Sequence, residues 1–186
     1  MSKFLRYAAV GAAVASFGIA SGAQAATTDS ANATATILTA LTVDLDGTAN
    51  TLDFGTIADG GITADANIVV SAAGLRGACP TNLVCGGTTA APLFHVNGIF
   101  TTNGVQVSFV NSTESLSYDT TINGGPAPTG FTSVMSAGSF TTNKTSDHLT
   151  MTGGTEDFSV GGTLTVHPNM APGVYTGTVT VSVAYN

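Results

Sequence analysis

Positive charge is what this chain has least of. Its 186 residues carry four lysines and arginines against eleven aspartates and glutamates. So few cations cannot neutralise a row of phosphates, which excludes binding to nucleic acid or to an anionic membrane surface. Tryptophan is absent, and with it the best aromatic platform for a sugar ring. Beyond the first 25 residues no apolar run approaches the roughly 18 needed to span a bilayer, which excludes a membrane-inserted helix there. Helical periodicity is missing over the same stretch.

The first 25 residues stand apart. Lys3 and Arg6 give a positive start, residues 7–20 an apolar run, and Ala23-Gln24-Ala25 a small-residue end. This is the plan of a secretory signal peptide cleaved after Ala25. The run is too short, and too broken by Gly11, Ser16 and Gly18, to be a membrane anchor. No cysteine stands at the cleavage site for a bacterial lipid anchor. Removing the leader takes Lys3 and Arg6 with it and leaves 161 residues of net charge −9, with Arg76 and Lys144 as the only fixed cations. That length suits one domain with a single core, residues 26–186.

Cys79 and Cys85 are the only cysteines, separated by Pro80, Thr81, Asn82, Leu83 and Val84. In an exported chain two cysteines most simply pair. A ring this small contributes about 2–3 kcal/mol by chain entropy, a local staple. A redox role would need a two-residue spacer at a helix start, and a metal site more ligands than one pair supplies.

What is abundant is Thr, Val, Gly and Ala in two-residue alternation, the pattern of half-buried strands. At the end of the chain Tyr175, Val179, Val181, Val183 and Tyr185 share one face with Gly177, and Thr176, Thr178, Thr180 and Ser182 share the other. Near the start Ala31, Ala33, Ala35, Ile37, Leu41, Val43 and Leu45 alternate with polar residues. That stretch is longer than one strand, and its alanine-rich front and Leu/Val-rich back divide it into a leading segment and a first strand. Further strands are predicted at 51–57, 66–72, 93–100, 105–111, 115–121, 148–152 and 157–166, with a long connection over 124–145. Gly, Asn, Asp and Pro turns punctuate them, which predicts an all-β sandwich or barrel.

Catalytic chemistry finds little support. His95, His148 and His167 share no metal-binding spacing, and His95 and His167 read as solvent-facing strand residues. Glu156-Asp157 is the only adjacent acidic pair. No Gly-x-Ser-x-Gly nucleophile motif occurs. Gly60-Gly61 and Gly161-Gly162 precede no helix and cannot cradle a phosphate. Asp44, Asp46 and Asp59 lie near glycine turns but match no calcium-loop spacing. No catalytic residue, cofactor or metal ligand is assigned, and the chain is read as a non-enzyme.

Several segments together resemble a known pattern: Leu52-Asp53-Phe54-Gly55-Thr56-Ile57, Phe94-His95-Val96-Asn97-Gly98, the run from Phe158 to Val166, and that from Gly173 to Val181. With the Ala/Thr alternation ahead of them, they resemble the domain-of-unknown-function family 4402 of bacterial exported proteins, across nearly all of the mature chain. That family is similar in turn to subunits of chaperone–usher pili, whose last strand carries a penultimate aromatic and a glycine near the fourteenth position from the end. Tyr185 and Gly173 stand at those positions here. The resemblance implies an immunoglobulin-like, pilin-like antiparallel β-sandwich. It implies that Gly173, Tyr175, Val179, Val181, Val183 and Tyr185 form the strand a periplasmic chaperone pairs with. It also implies an N-terminal extension, residues 26–37, whose Ala31, Ala33, Ala35 and Ile37 complete a neighbour's sheet. One departure is the local Cys79–Cys85 loop, where many pilins link their first two strands.

The expected function is therefore a structural subunit of a bacterial surface filament. It would be exported to the periplasm and then to the surface, with copies of itself as head-to-tail partners and a periplasmic chaperone and outer-membrane usher as assembly factors. The alternative is a self-contained exported sandwich acting as a cell-envelope or glycan-binding interaction protein. Intact mass and N-terminal sequencing of the exported protein should both start it at Ala26; a retained leader would contradict this reading of the first 25 residues.

Overall fold

The computed structural model describes residues 32, 34, 35, 37–98 and 104–186. By internal packing the chain divides into two units, Met1–Thr36 and Ile37–Asn186. Of the first, Asn32, Thr34 and Ala35 are described, and each is exposed. The expected signal peptide and the positions Ala31 and Ala33 lie outside the described residues.

The second unit is all-β and antiparallel, as its alternating pattern requires. Its longest strand, β10 (Thr155–Val166), pairs with β5 (Leu93–Asn97) along its first half and with β3 (Ala66–Val70) along its second. On β10 also lies β8 (Val134–Thr142), then β7 (Thr113–Tyr118) and the short β11 (Tyr175–Thr176). At the far end β1 (Thr42–Leu45) pairs with β5. A three-stranded sheet is built from β12 (Val181–Tyr185), β6 (Val105–Phe109) and β9 (His148–Leu149). A separate two-stranded ribbon joins β2 (Thr56–Asp59) to β4 (Leu83–Gly86). The sheets curl around the core as an open sandwich, and no helix among the described residues is long and apolar enough to cross a membrane.

The interior has two clusters. One gathers Phe54, Ile68, Val70, Met135, Leu164 and Val166; the other gathers Phe94, Val96, Val105, Leu149, Met151, Phe158 and Val160. Phe140 packs against both. Phe158 is wholly buried and stacks on Phe94, ring centroids 5.1 Å apart and planes 13° from parallel. β10 serves both clusters from one face, Phe158 and Val160 in the second and Leu164 and Val166 in the first; across Gly161–Thr163 its partner β8 spends one residue more, at Ser139, whose φ is +49°. A Cβ on Gly161 would sit 2.4 Å from the Ala72 nitrogen, so only glycine lets the chain after β3 cross this close.

Three expectations need correction. The supposed long connection over 124–145 contains β8, a nine-residue strand in the middle of the main sheet. Its inward residues are Met135 and Ala137, with serines and a glycine around them, so its alternation carries little apolar contrast. The stretch 51–57 becomes a regular strand only from Thr56; ahead of it Asp53 makes an isolated bridge to Ala90. The strand expected at 148–152 ends at Leu149 and gives way to a 3₁₀ turn at Thr152–Gly154. β4, inside the cysteine loop, is an additional strand. The disulfide itself joins Cys79 to Cys85 as expected, with Cα atoms 5.9 Å apart.

Truncating the best-buried aromatic should be costly. Phe158→Ala should destabilise the domain by about 3–5 kcal/mol, read from chemical denaturation; a loss under about 1 kcal/mol would show that the second cluster is not a packed core.

Candidate functional site

Both ends of the domain reach the same face, and a groove runs between them above the core. Residues 45–59 form one wall and residues 170–179 the other. Between them run two cavities that share Thr51, Leu52, Phe54 and Leu116, so they form one groove. The narrower, of about 310 Å³, is floored by Phe94, Leu116 and Ala137; the wider, of about 840 Å³, by Met135, Leu164 and Val166. The floor is apolar, and the charged lining residues, Asp53, Asp59 and Glu114, are all acidic.

The walls offer backbone as well as apolar surface. Asp53 turns its N–H and C=O to Ala90, at 3.0 and 3.1 Å. Strand alternation then directs the polar groups of Leu52 and Phe54 the other way, toward the groove. Among the described residues neither of their amides has a hydrogen-bond acceptor. On the opposite wall β11 and β12 are end strands, each paired on one side only. Between them residues 177–179 leave the ladder, because the partner chain spends more residues than the C-terminal chain between Thr176↔Ser117 and Val181↔Phe109. Gly177 makes the narrow cavity. A Cβ there would lie 2.5 Å from the Ser115 carbonyl oxygen, so the chain is pressed onto β7 where any larger residue would stand off.

Each wall is held by its own polar contacts. On the C-terminal side Asn123 pairs with Val174 as a strand would: its Nδ2 donates to the Val174 carbonyl and its Oδ1 accepts the Val174 N–H, both at 2.9 Å. The Asp119 carboxylate accepts from the Thr121 and Ile122 amides and from the Thr176 hydroxyl. Tyr175 donates to the Ala171 carbonyl at 2.7 Å and meets Tyr118 edge-on at 5.6 Å; burial raises its phenol pKa. On the N-terminal side the Asp46 carboxylate caps the turn after β1, accepting from the Thr48 and Ala49 amides. Its second oxygen lies 3.1 Å from His95 Nε2, and His95 Nδ1 lies 2.8 Å from Asp157.

The alternation read from the C-terminal sequence matches the burial. Tyr175, Val179, Val181, Val183 and Tyr185 are half-buried; Thr176, Thr178, Thr180 and Ser182 are exposed. Tyr175 belongs to the first cluster, the three valines and Tyr185 to the second. Gly173 precedes β11 against Tyr118 and Asn123. Of the N-terminal residues, Ala35 is exposed and Ile37 is 92% exposed, and residues 37–40 form no strand. His95 and His167 are solvent-facing as read, yet neither is alone: His167 Nδ1 lies 2.8 Å from Asp65. The Asp46–His95–Asp157 cluster was not legible, since its members lie far apart in sequence, in the turn after β1, on β5 and on β10. Among the described residues no three His, Cys, Asp or Glu side chains are placed to hold a metal. Arg76 donates to the Gly86 carbonyl at 2.7 Å and Lys144 pairs with Glu156, so the Arg and the Lys among the described residues both serve the fold.

Such a molecule is an antiparallel β-sandwich with an open groove along one edge. The chain belongs to the family described as "Domain of unknown function (DUF4402)", whose model matches residues 43–185, from β1 to the end of β12. Comparison with curated proteins and with solved structures gave no match.

The capped carboxylates make a pH prediction. The amides of Ala49, Ile62 and Ile122 are the leading causes that hold Asp46, Asp59 and Asp119 below the ordinary carboxylate range. A depressed folded-state pKa gives stability that is fully present above about pH 4 and lost as pH falls through the folded value. Denaturation midpoints should therefore hold near neutrality and drop on acidification below about pH 4. Asp119→Asn should lower the neutral midpoint and flatten the acid limb, and an unchanged acid limb would contradict this assignment.

Proposed function

We propose that the chain is a structural subunit of a bacterial surface filament, assembled when the N-terminal segment of one copy lies in the groove of the next. The observation that carries this reading is the combination of an apolar groove between two incompletely paired walls with Ile37 standing exposed outside it. A strand laid in the groove gives the wall amides main-chain partners and sets its register by alternate side chains. Ala31, Ala33, Ala35 and Ile37 present such a series. Ile37 gains about 1.5–3 kcal/mol on full burial, and the alanines let the strand approach the floor closely. The acidic rim suits the donor series 31–37, which carries no charged side chain. A contact of this kind is head-to-tail and does not close on itself, so it propagates as a fibre. Export through the periplasm, with a chaperone covering the groove beforehand and an usher at the outer membrane, belongs to the same proposal.

A second reading has one observation in its favour. The family match starts at residue 43, beyond the proposed donor segment, as it would for a sandwich whose folding and function do not involve that segment. That protein would act in the cell envelope by itself, for instance on glycans.

Deleting residues 26–37 separates the two. Under the filament reading the shortened chain is exported, folds, and stays monomeric by size-exclusion chromatography and electron microscopy, while the full chain forms fibres. Ile37→Asp should weaken assembly at least tenfold, since it sets a charge against the apolar floor. Fibres formed by the deleted chain would overturn strand donation, and a stable, non-assembling full-length monomer would favour the second reading.

A further inference from the structure

We propose that His95 is a pH-dependent latch on the N-terminal wall of the groove, holding it when the imidazole is protonated and releasing it when the ring is neutral. The latch is a property of the single chain; its role in assembly rests on the strand-donation reading.

The geometry demands two donors from one ring. Nδ1 lies 2.8 Å from an Asp157 oxygen and Nε2 lies 3.1 Å from an Asp46 oxygen. A carboxylate only accepts, and a neutral imidazole has one N–H. The imidazolium satisfies both contacts; the neutral ring must point a lone pair at one of the carboxylates.

The surroundings sharpen the switch. On β1 the residue opposite His95 is Asp44, and on β10 it is Asp157; the turn after β1 adds Asp46. Glu156, beside Asp157, is engaged by Lys144. Two carboxylates thus engage one titratable cation, and a third residue of the same charge stands opposite it in register on β1. Deprotonation removes the attraction and leaves like charges facing one another across the sheet. Asp157 is also the leading cause that holds the His95 pKa above the ordinary histidine value. A raised folded-state value means that the latch is fully formed below about pH 6.5 and lost as pH rises through that higher value.

The latch acts on the groove because Asp46 begins the wall. Its carboxylate is tied to the 48–49 turn, and Leu45, Asn50, Thr51 and Leu52 around that turn line the narrow cavity. Backbone bonds between Asp46 and Leu93, and between Leu93 and Ala49, remain when the latch opens. The wall therefore loosens without detaching. The opposite wall is tied by Asn123 and Asp119, neither of which titrates near neutrality, so pH moves one lip against a fixed one.

Hydrogen exchange on the dilute exported chain at pH 5.5 and 8.5, corrected for intrinsic rates, tests the latch. Protection of residues 46–52 should fall about two- to fivefold at the higher pH, as exposed ion pairs allow. Residues 119–125 should not change. His95→Gln and Asp157→Asn should both show low protection of 46–52 at either pH. Equal wild-type protection at the two pH values, or a pH response that persists in both variants, overturns the latch. A synthetic peptide of residues 26–37 then tests its purpose. Faster association at pH 8.5 in the wild type, and not in His95→Gln, supports control of the groove, whereas equal rates despite a moving wall overturn it. A wall that loosens on schedule but binds the peptide at neither pH leaves the latch standing and counts against strand donation alone.

Discussion

Backbone amides and carbonyls beside an apolar core need partners, and on one edge of this sandwich the Leu52 and Phe54 amides have none among the described residues. The inside of the main sheet is fully paired: β10 alone engages β3, β5 and β8. Between residues 45–59 and 170–179 the two ends of the domain flank a groove over the core. The geometry there follows from particular residues. Gly177 presses the C-terminal chain onto β7, and the Asp53–Ala90 bridge turns Leu52 and Phe54 toward the gap. Under the strand-donation proposal, the groove takes a strand with small or aliphatic alternate residues and little charge.

Electrostatics fits this role. Arg76 ties β4 to the body through the Gly86 carbonyl, and Lys144 is engaged by Glu156. With those two cations committed, the surface presents mainly carboxylates and neutral Thr, Ser and Asn side chains. Copies of such a chain repel at long range, so the proposed contact between them rests on short-range burial and main-chain pairing. An uncharged, alternating segment supplies both, and an acidic rim disfavours acidic strands.

Much of the fold was legible in the sequence, and the limits have physical causes. The alternation of Val179, Val181 and Val183 foretold the half-buried face, since period two admits only one register once a face is buried. β8 escaped notice because Met135 and Ala137 are its only buried side chains, and a central strand between serines looks like a loop. β4 was hidden in the six-residue step between Cys79 and Cys85. An open groove was expected only through the family resemblance; which residues wall and floor it depends on which edges remain unpaired, a property of topology. The same holds for His95, whose partners stand 49 and 62 residues away and meet it only because β1 and β10 flank β5.

The central claim is that the vacant edge is filled by the N-terminal segment of a different copy. A photo-crosslinker placed at residue 37, in a mixture of isotopically light and heavy chains, tests this most directly by mass spectrometry. The account predicts mixed-isotope links from residue 37 to groove residues such as Leu52, Leu116, Met135 or Tyr175. Links confined to single-isotope pairs, or falling outside the groove, would contradict it.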